Sequence, residues 1–162
     1  MLGEQLEETR GKRIVRKVLS TDPLRVEVTF EGSGKLLGND VTETATYSSQ
    51  VRPDGSLYGE GQGAYISSGG DLVTWKGAGV GTLGPNGAAS YRGAVYFWTA
   101  SPKFARLNTV AGVFEFASDA QGNTHSKTWG GSRTRRKGSP PASKWLSRWR
   151  NGAGQPLNFS LF

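Results

Sequence analysis

Apolar and polar residues alternate along most of the chain up to Trp129. The clearest run, Leu24-Arg25-Val26-Glu27-Val28-Thr29-Phe30-Glu31, sets Leu24, Val26, Val28 and Phe30 on one face and charges and threonine on the other. A period of two is the mark of a half-buried strand. Similar runs predict strands near Thr9–Leu19, Val41–Ser48, Leu57–Ile66, Leu72–Thr82, Ala88–Thr99, Val110–Ala117 and Asn123–Trp129. The connections Pro53-Asp54-Gly55, Ser68-Gly69-Gly70, Gly84-Pro85-Asn86-Gly87 and Gln121-Gly122-Asn123 carry turn residues. Only Pro102–Asn108 suggests a helical turn. Eight short strands joined by tight turns predict an all-β fold, a single eight-stranded, mostly antiparallel β-barrel, since closure removes exposed edges. The barrel domain is placed at residues 1–130 and a flexible basic C-terminal tail at 131–162.

Turn geometry extends this to register. A three-residue loop at Pro53–Gly55, with glycine at its left-handed position, puts Tyr47 opposite Gly61 and Ala45 opposite Gly63. A loop centred on Gly70 puts Gly59, Gly61 and Gly63 opposite Gly81, Gly79 and Gly77, with Tyr65 opposite Trp75. A four-residue loop at Gly84–Gly87 then sets Gly79 beside Arg92 and Trp75 beside Tyr96. The expected inner face holds Val41, Glu43, Ala45, Tyr47, Tyr65, Trp75, Ser90, Arg92, Ala94, Tyr96 and Trp98 around six glycines. Thr42, Thr44, Thr46, Ser48, Glu60, Gln62 and Lys76 are expected outside. A one-residue slip would swap the faces of everything beyond it.

Composition narrows the chemistry. Glycine supplies 24 of 162 residues, about twice the usual share of roughly 7%. Small barrels fill their interior with branched side chains, so glycines on an inner face either leave ligand space or receive rings from across the barrel. The chain has no cysteine and one histidine, His125, which excludes disulfides, thiolate metal sites and thiol nucleophiles. Neither a metal nor a cofactor is expected. No apolar run reaches the roughly 20 residues of a membrane helix, and Met1–Arg16 is too charged for a signal peptide. The expected location is cytoplasmic.

The net charge of +7 is uneven. Up to Trp129 the 13 basic residues balance 13 acidic ones; beyond it come Arg133, Arg135, Arg136, Lys137, Lys144, Arg148 and Arg150 with no acid. Gly130–Pro141 has nothing apolar to bury. Behind it a helical turn would align Trp145 and Trp149. Such a tail either binds phosphate backbone or anionic lipid, or docks on the body or has no function.

Several motifs dissolve on inspection. Gly79-Val80-Gly81-Thr82-Leu83-Gly84 fits the dinucleotide pattern, but a turn and a strand follow where a helix is required. Gly32-Ser33-Gly34-Lys35 lacks the remaining residues of a P-loop. His125 has no nucleophile elbow to serve and reads as a rim residue. Glu43 and Arg92 carry more, because a charge inside a barrel needs a partner. Either they pair with one another, or Arg92 anchors a ligand while Glu43 acts as acid, base or electrostatic stabiliser. Glu115 and Glu60 are weaker candidates. Tyr47, Tyr65, Trp75, Tyr96 and Trp98 would stack a ligand or simply form an aromatic core.

The stretches Gly59-Glu60-Gly61-Gln62-Gly63, Trp75-Lys76-Gly77-Ala78-Gly79-Val80-Gly81, Ser90-Tyr91-Arg92-Gly93-Ala94-Val95 and Leu107–Glu115 resemble small uncharacterised bacterial proteins whose strand order is similar to the allene oxide cyclase and dirigent barrels. That resemblance spans roughly Gly3 to Trp129. It implies an eight-stranded barrel around an apolar cavity that shapes a reactive lipid or phenolic intermediate, often within homo-oligomers. It carries over no catalytic residue. The expected function is binding of a small, largely apolar or aromatic ligand in the barrel. The alternatives are a cofactor-free cyclase or isomerase in the same cavity, and a scaffold whose cationic tail binds nucleic acid or membrane.

Overall fold

A computed structural model describes residues 2–131; the proposed basic tail lies outside the described residues. Eight strands form a closed barrel, β1 (Gln5–Thr21), β2 (Leu24–Leu36), β3 (Asn39–Val51), β4 (Leu57–Ser67), β5 (Leu72–Leu83), β6 (Ala89–Trp98), β7 (Ala111–Ser118) and β8 (Asn123–Gly130). Each pairs antiparallel with the next, and β8 closes on β1. No helix among the described residues is long and apolar enough to cross a membrane.

Four hairpin loops share one design. Arg52–Ser56, Ser67–Asp71, Gly84–Ala88 and Asp119–Asn123 each close with a backbone hydrogen bond around three residues, the third being Gly55, Gly70, Gly87 or Gly122 at φ between 81° and 85°. Only glycine enters that region without strain. The β3–β4 register is as expected, with Tyr47 opposite Gly61. The β4–β5 loop centres on Gly69 rather than Gly70, so Gly59 faces Gly79 and Gly61 faces Gly77. A slip of two keeps every face. The β5–β6 loop spans Pro85–Gly87, not Gly84–Gly87, so Trp75 faces Phe97 and Arg92 faces Val80. A slip of one reverses β6: Tyr91, Val95 and Phe97 point in, whereas Arg92, Tyr96 and Trp98 point out.

The core has two parts. One end is closed by the short 3-10 helical segment Pro102–Thr109, whose Phe104 and Leu107 are fully buried against Leu36, Val73 and Phe97. Asn108 holds this segment in place, accepting from the Thr99 amide at 2.8 Å and donating to its carbonyl at 2.9 Å. Towards the other end, Phe30, Tyr47, Tyr91 and Phe116 form a ring cluster with centroids 5.2–6.3 Å apart, a spacing that favours edge and tilted contacts. Trp75 packs against both parts.

Candidate ligand site inside the barrel

Between the two parts of the core lies a cavity of about 70 Å³ whose lining includes Glu43, Tyr47, Tyr65, Trp75, Tyr91 and Phe114. Glycines on the inner face shape it by receiving rings from across the barrel, one of the two outcomes expected from sequence. Rings rest on them: a Cβ on Gly63 would stand 2.6 Å from the Trp75 indole nitrogen, on Gly79 2.9 Å from Phe114, and on Gly81 2.7 Å from Tyr91. Beneath the rings a space remains, smaller than the roughly 150 Å³ void that accepts a benzene.

Glu43 sits at the polar end, 3% exposed. β3 places it there because Val41, Glu43, Ala45 and Tyr47 share the inner face. The Thr9 hydroxyl donates to its Oε2 at 2.9 Å and the Trp75 indole N–H to its Oε1 at 3.0 Å. Burial, and then the charge of nearby Glu7, push its carboxyl up to about 7, against the pull of the hydrogen bonds from Thr9, Tyr65 and Trp75. The Tyr65 phenol is in turn held well above its ordinary range, first by burial and then by Glu43.

Glu7 is the residue that sequence reasoning missed. It is 1% exposed and accepts from Thr128 at 2.9 Å and Ser126 at 3.3 Å, while its Oε1 has no partner among the described residues. Burial raises its carboxyl too, against the pull of the Thr9, Thr128 and Ser126 hydroxyls. Thr9 lies beside both buried carboxyls and gives its one hydroxyl proton to Glu43. The available signal was the alternation Glu7, Thr9, Gly11, hidden because the predicted strand began at Thr9.

Of the expected site residues, the fold brings together Glu43, Tyr47, Tyr65 and Trp75. It does not bring Arg92, Tyr96 or Trp98 to them. Arg92 pairs with Glu115 at 3.1 Å on the outer wall, its side chain 80% exposed. Tyr96 and Trp98 are 61% and 63% exposed. The one-residue difference in the β5–β6 loop is the cause, and Tyr91, Val95 and Phe97 take the inward positions. The expected Glu43–Arg92 pair does not form. Glu60 points outward and accepts from the Tyr58 hydroxyl at 2.7 Å. His125 lies on the wall with its Nε2 2.8 Å from Glu8. The larger hollows, about 760 and 540 Å³, lie on the outer wall around Arg92 and Lys76. Among the described residues no three His, Asp or Glu side chains gather as a metal would require.

Solved structures share this architecture. A protein of unknown function from Clostridium acetobutylicum ATCC 824 superposes with a TM-score of 0.70 at 18% identity, over 80% of this chain and 98% of that one. A β-barrel-like protein from Acinetobacter baumannii AYE gives 0.67 at 13% identity, over 80% and 94%. An enzyme from Penicillium herquei gives 0.56 at 14%, over 80% and 96%. The likeness is one of fold. No protein-family model and no curated protein matches the chain.

Proposed function

We propose that the barrel binds a compact, largely apolar or aromatic molecule in its interior, with Glu43 and the Trp75 indole reading one polar group of that ligand. The observation that carries this is the ring-lined cavity ending in a carboxyl whose proton is balanced near neutrality. An apolar pocket with a few convergent polar groups and a perturbed titratable residue is the usual form of a ligand site. The cavity of about 70 Å³ is too small for an aromatic ligand as it stands. Tyr47 and Tyr91, stacked edge-on at 5.8 Å, separate it from a second hollow of about 60 Å³ at the open end. Swinging these two rings aside would join the spaces and add the volume the rings now fill, which makes them the natural gate. The allene oxide cyclase and dirigent barrels that the sequence resembles imply a cavity of the same kind. Native mass spectrometry of protein purified from cells tests the proposal. A small molecule that co-purifies, and is lost in Tyr91→Trp with the fold retained, is expected; uniformly empty protein that also takes up no added aromatic compound would refute it.

A second reading has its own observation. Glu43 and Glu7 are two buried carboxyls on either side of Thr9, whose hydroxyl donates to Glu43, and burial favours the protonated form of both. An acid near pH 7 is suited to general acid–base work, and a closed barrel excludes water and presets substrate shape. A cyclisation or isomerisation is the reaction class that needs nothing more. Turnover of a co-purified compound that vanishes in Glu43→Gln while binding persists would support this reading over simple binding.

A further inference from the structure

The open end of the barrel carries a feature that ligand binding in the interior does not by itself require. β1 pairs with β8 only as far as Lys12, whereas its pairing with β2 continues to Thr21. The strand thus rises past the β7–β8 turn as a lip. A bulge between Arg13 and Val15 shifts the alternation by one, so that Arg13 and Arg16, three apart, both face inward, opposite Phe30 and Val28. Both line the 60 Å³ hollow, whose other walls are mainly apolar, among them Leu24, Val26, Leu57 and Leu83.

Arg16 reaches across the mouth, and Arg13 lies against the β7–β8 turn beside its own strand. Arg16 Nη1 lies 3.4 Å from where a side chain on Gly87 would begin, and Arg13 Nη2 3.2 Å from that point on Gly122. Two turns of the rim, the β5–β6 turn across from β1 and the β7–β8 turn beside it, are therefore bare where the arginines rest. Neither arginine has a carboxylate within ion-pair distance or donates a side-chain hydrogen bond among the described residues. The lining of the hollow contains no acid, and the chain beyond residue 131 contains no Asp or Glu. Both cations act on the Tyr47 phenol below them, and Arg16 acts on Tyr91, in each case against the effect of burial.

Two cations without an acidic partner among the described residues, on an apolar mouth above the tyrosines that gate the interior, suit one class of molecule. We propose that the ligand is a carboxylic acid with a compact apolar or aromatic body. Arg13 and Arg16 hold the carboxylate at the mouth, and the body passes between Tyr47 and Tyr91 towards Trp75 and Glu43. Guanidinium forks match the two oxygens of a carboxylate. Orientation follows from solvation: at the inner end, where burial already opposes ionisation of Glu43 and Glu7, a carboxylate would lose its water with no cation to replace it, whereas at the mouth it meets both guanidiniums. This inference rests on the interior binding proposed above and adds the anionic group and the direction of entry.

The test is calorimetric titration of benzoic, cinnamic and 1-naphthoic acids, each against its own primary amide, at low salt and neutral pH. At least one acid is expected to bind about tenfold or more tightly than its amide, the factor that one charge-assisted hydrogen bond supplies. In Arg13→Gln/Arg16→Gln that acid should fall to the affinity of the amide, the amide itself being unchanged, with a thermal melt confirming the fold. If acid and amide bind alike, or if the advantage of the acid survives in the double variant, the carboxylate assignment is overturned and interior binding stands. If neither series binds, both fall together.

Discussion

Glu43 is built to hold a proton, and this has a measurable thermodynamic cost. Its carboxyl rises from an ordinary 4.5 to about 7 on folding. Between those values the native state binds more protons than the unfolded chain, so stability falls as pH rises through that window and levels off above it. At about 1.4 kcal/mol per unit, ionising Glu43 in place costs about 3 kcal/mol of folding stability by pH 8. Glu43→Gln removes the titration while keeping the contacts. The amide oxygen accepts from the Trp75 indole, and the amide nitrogen donates to the Thr9 hydroxyl, which can turn towards Glu7. Urea unfolding of both proteins from pH 4.5 to 8 measures the difference. The variant should gain on the wild type by about 3 kcal/mol across that range, a residual slope remaining from Glu7, which burial also raises. A stability difference that does not change with pH would refute the reasoning, because it would mean that Glu43 ionises as freely inside the barrel as in water.

Other substitutions separate the inner face from the outer. Phe104→Ala, which empties a fully buried site in the closing segment, should cost about 3–5 kcal/mol in chemical denaturation. Gly63→Ala drives a methyl against the Trp75 indole nitrogen; a loss of about 1–3 kcal/mol is expected, together with a changed near-ultraviolet dichroism from the displaced ring. Tyr91→Phe leaves the buried Ser49 hydroxyl without its 2.6 Å partner and should cost about 1–3 kcal/mol in thermal melts. Arg92→Ala, by contrast, removes an exposed pair with Glu115 and should change stability by less than about 1 kcal/mol and leave ligand affinity untouched.

How much of this the sequence holds depends on counting loops. Alternation in β2, β3 and β4 was enough to assign their faces, and the position of Glu43 among Val41, Ala45 and Tyr47 follows from that alone. The loop rule that worked at Pro53-Asp54-Gly55, three residues with glycine third, is repeated at Ser68-Gly69-Gly70, Pro85-Asn86-Gly87 and Ala120-Gln121-Gly122. Applied at each of these, it would have turned Arg92, Tyr96 and Trp98 outward. Nothing local gave this away, since β6 alternates between two sets that both contain aromatics: Tyr91, Val95 and Phe97 against Arg92, Tyr96 and Trp98. Glu7 was hidden for a different reason. It lies in an acidic stretch, Glu4 to Glu8, that looks solvated until β8 supplies Ser126 and Thr128 across the barrel seam. Closure of the seam is a long-range event that strand periodicity does not contain. The inward pairing of Arg13 and Arg16 depends on a bulge, which likewise leaves no mark on the alternation.

The claim that the barrel interior is a ligand site is tested most directly by two tryptophans in the same molecule. The Trp75 indole N–H points into the cavity and donates to Glu43, whereas the Trp98 ring stands on the outer wall. Titration of labelled protein with an aromatic acid, followed by proton–nitrogen NMR, reads both at once. Saturable movement of the Trp75 indole signal and of the Gly61 and Gly77 amides, with Trp98 unmoved, is the predicted result. Movement confined to Trp98 and its neighbours, with Trp75 silent at saturation, would place the ligand outside the barrel and contradict the account.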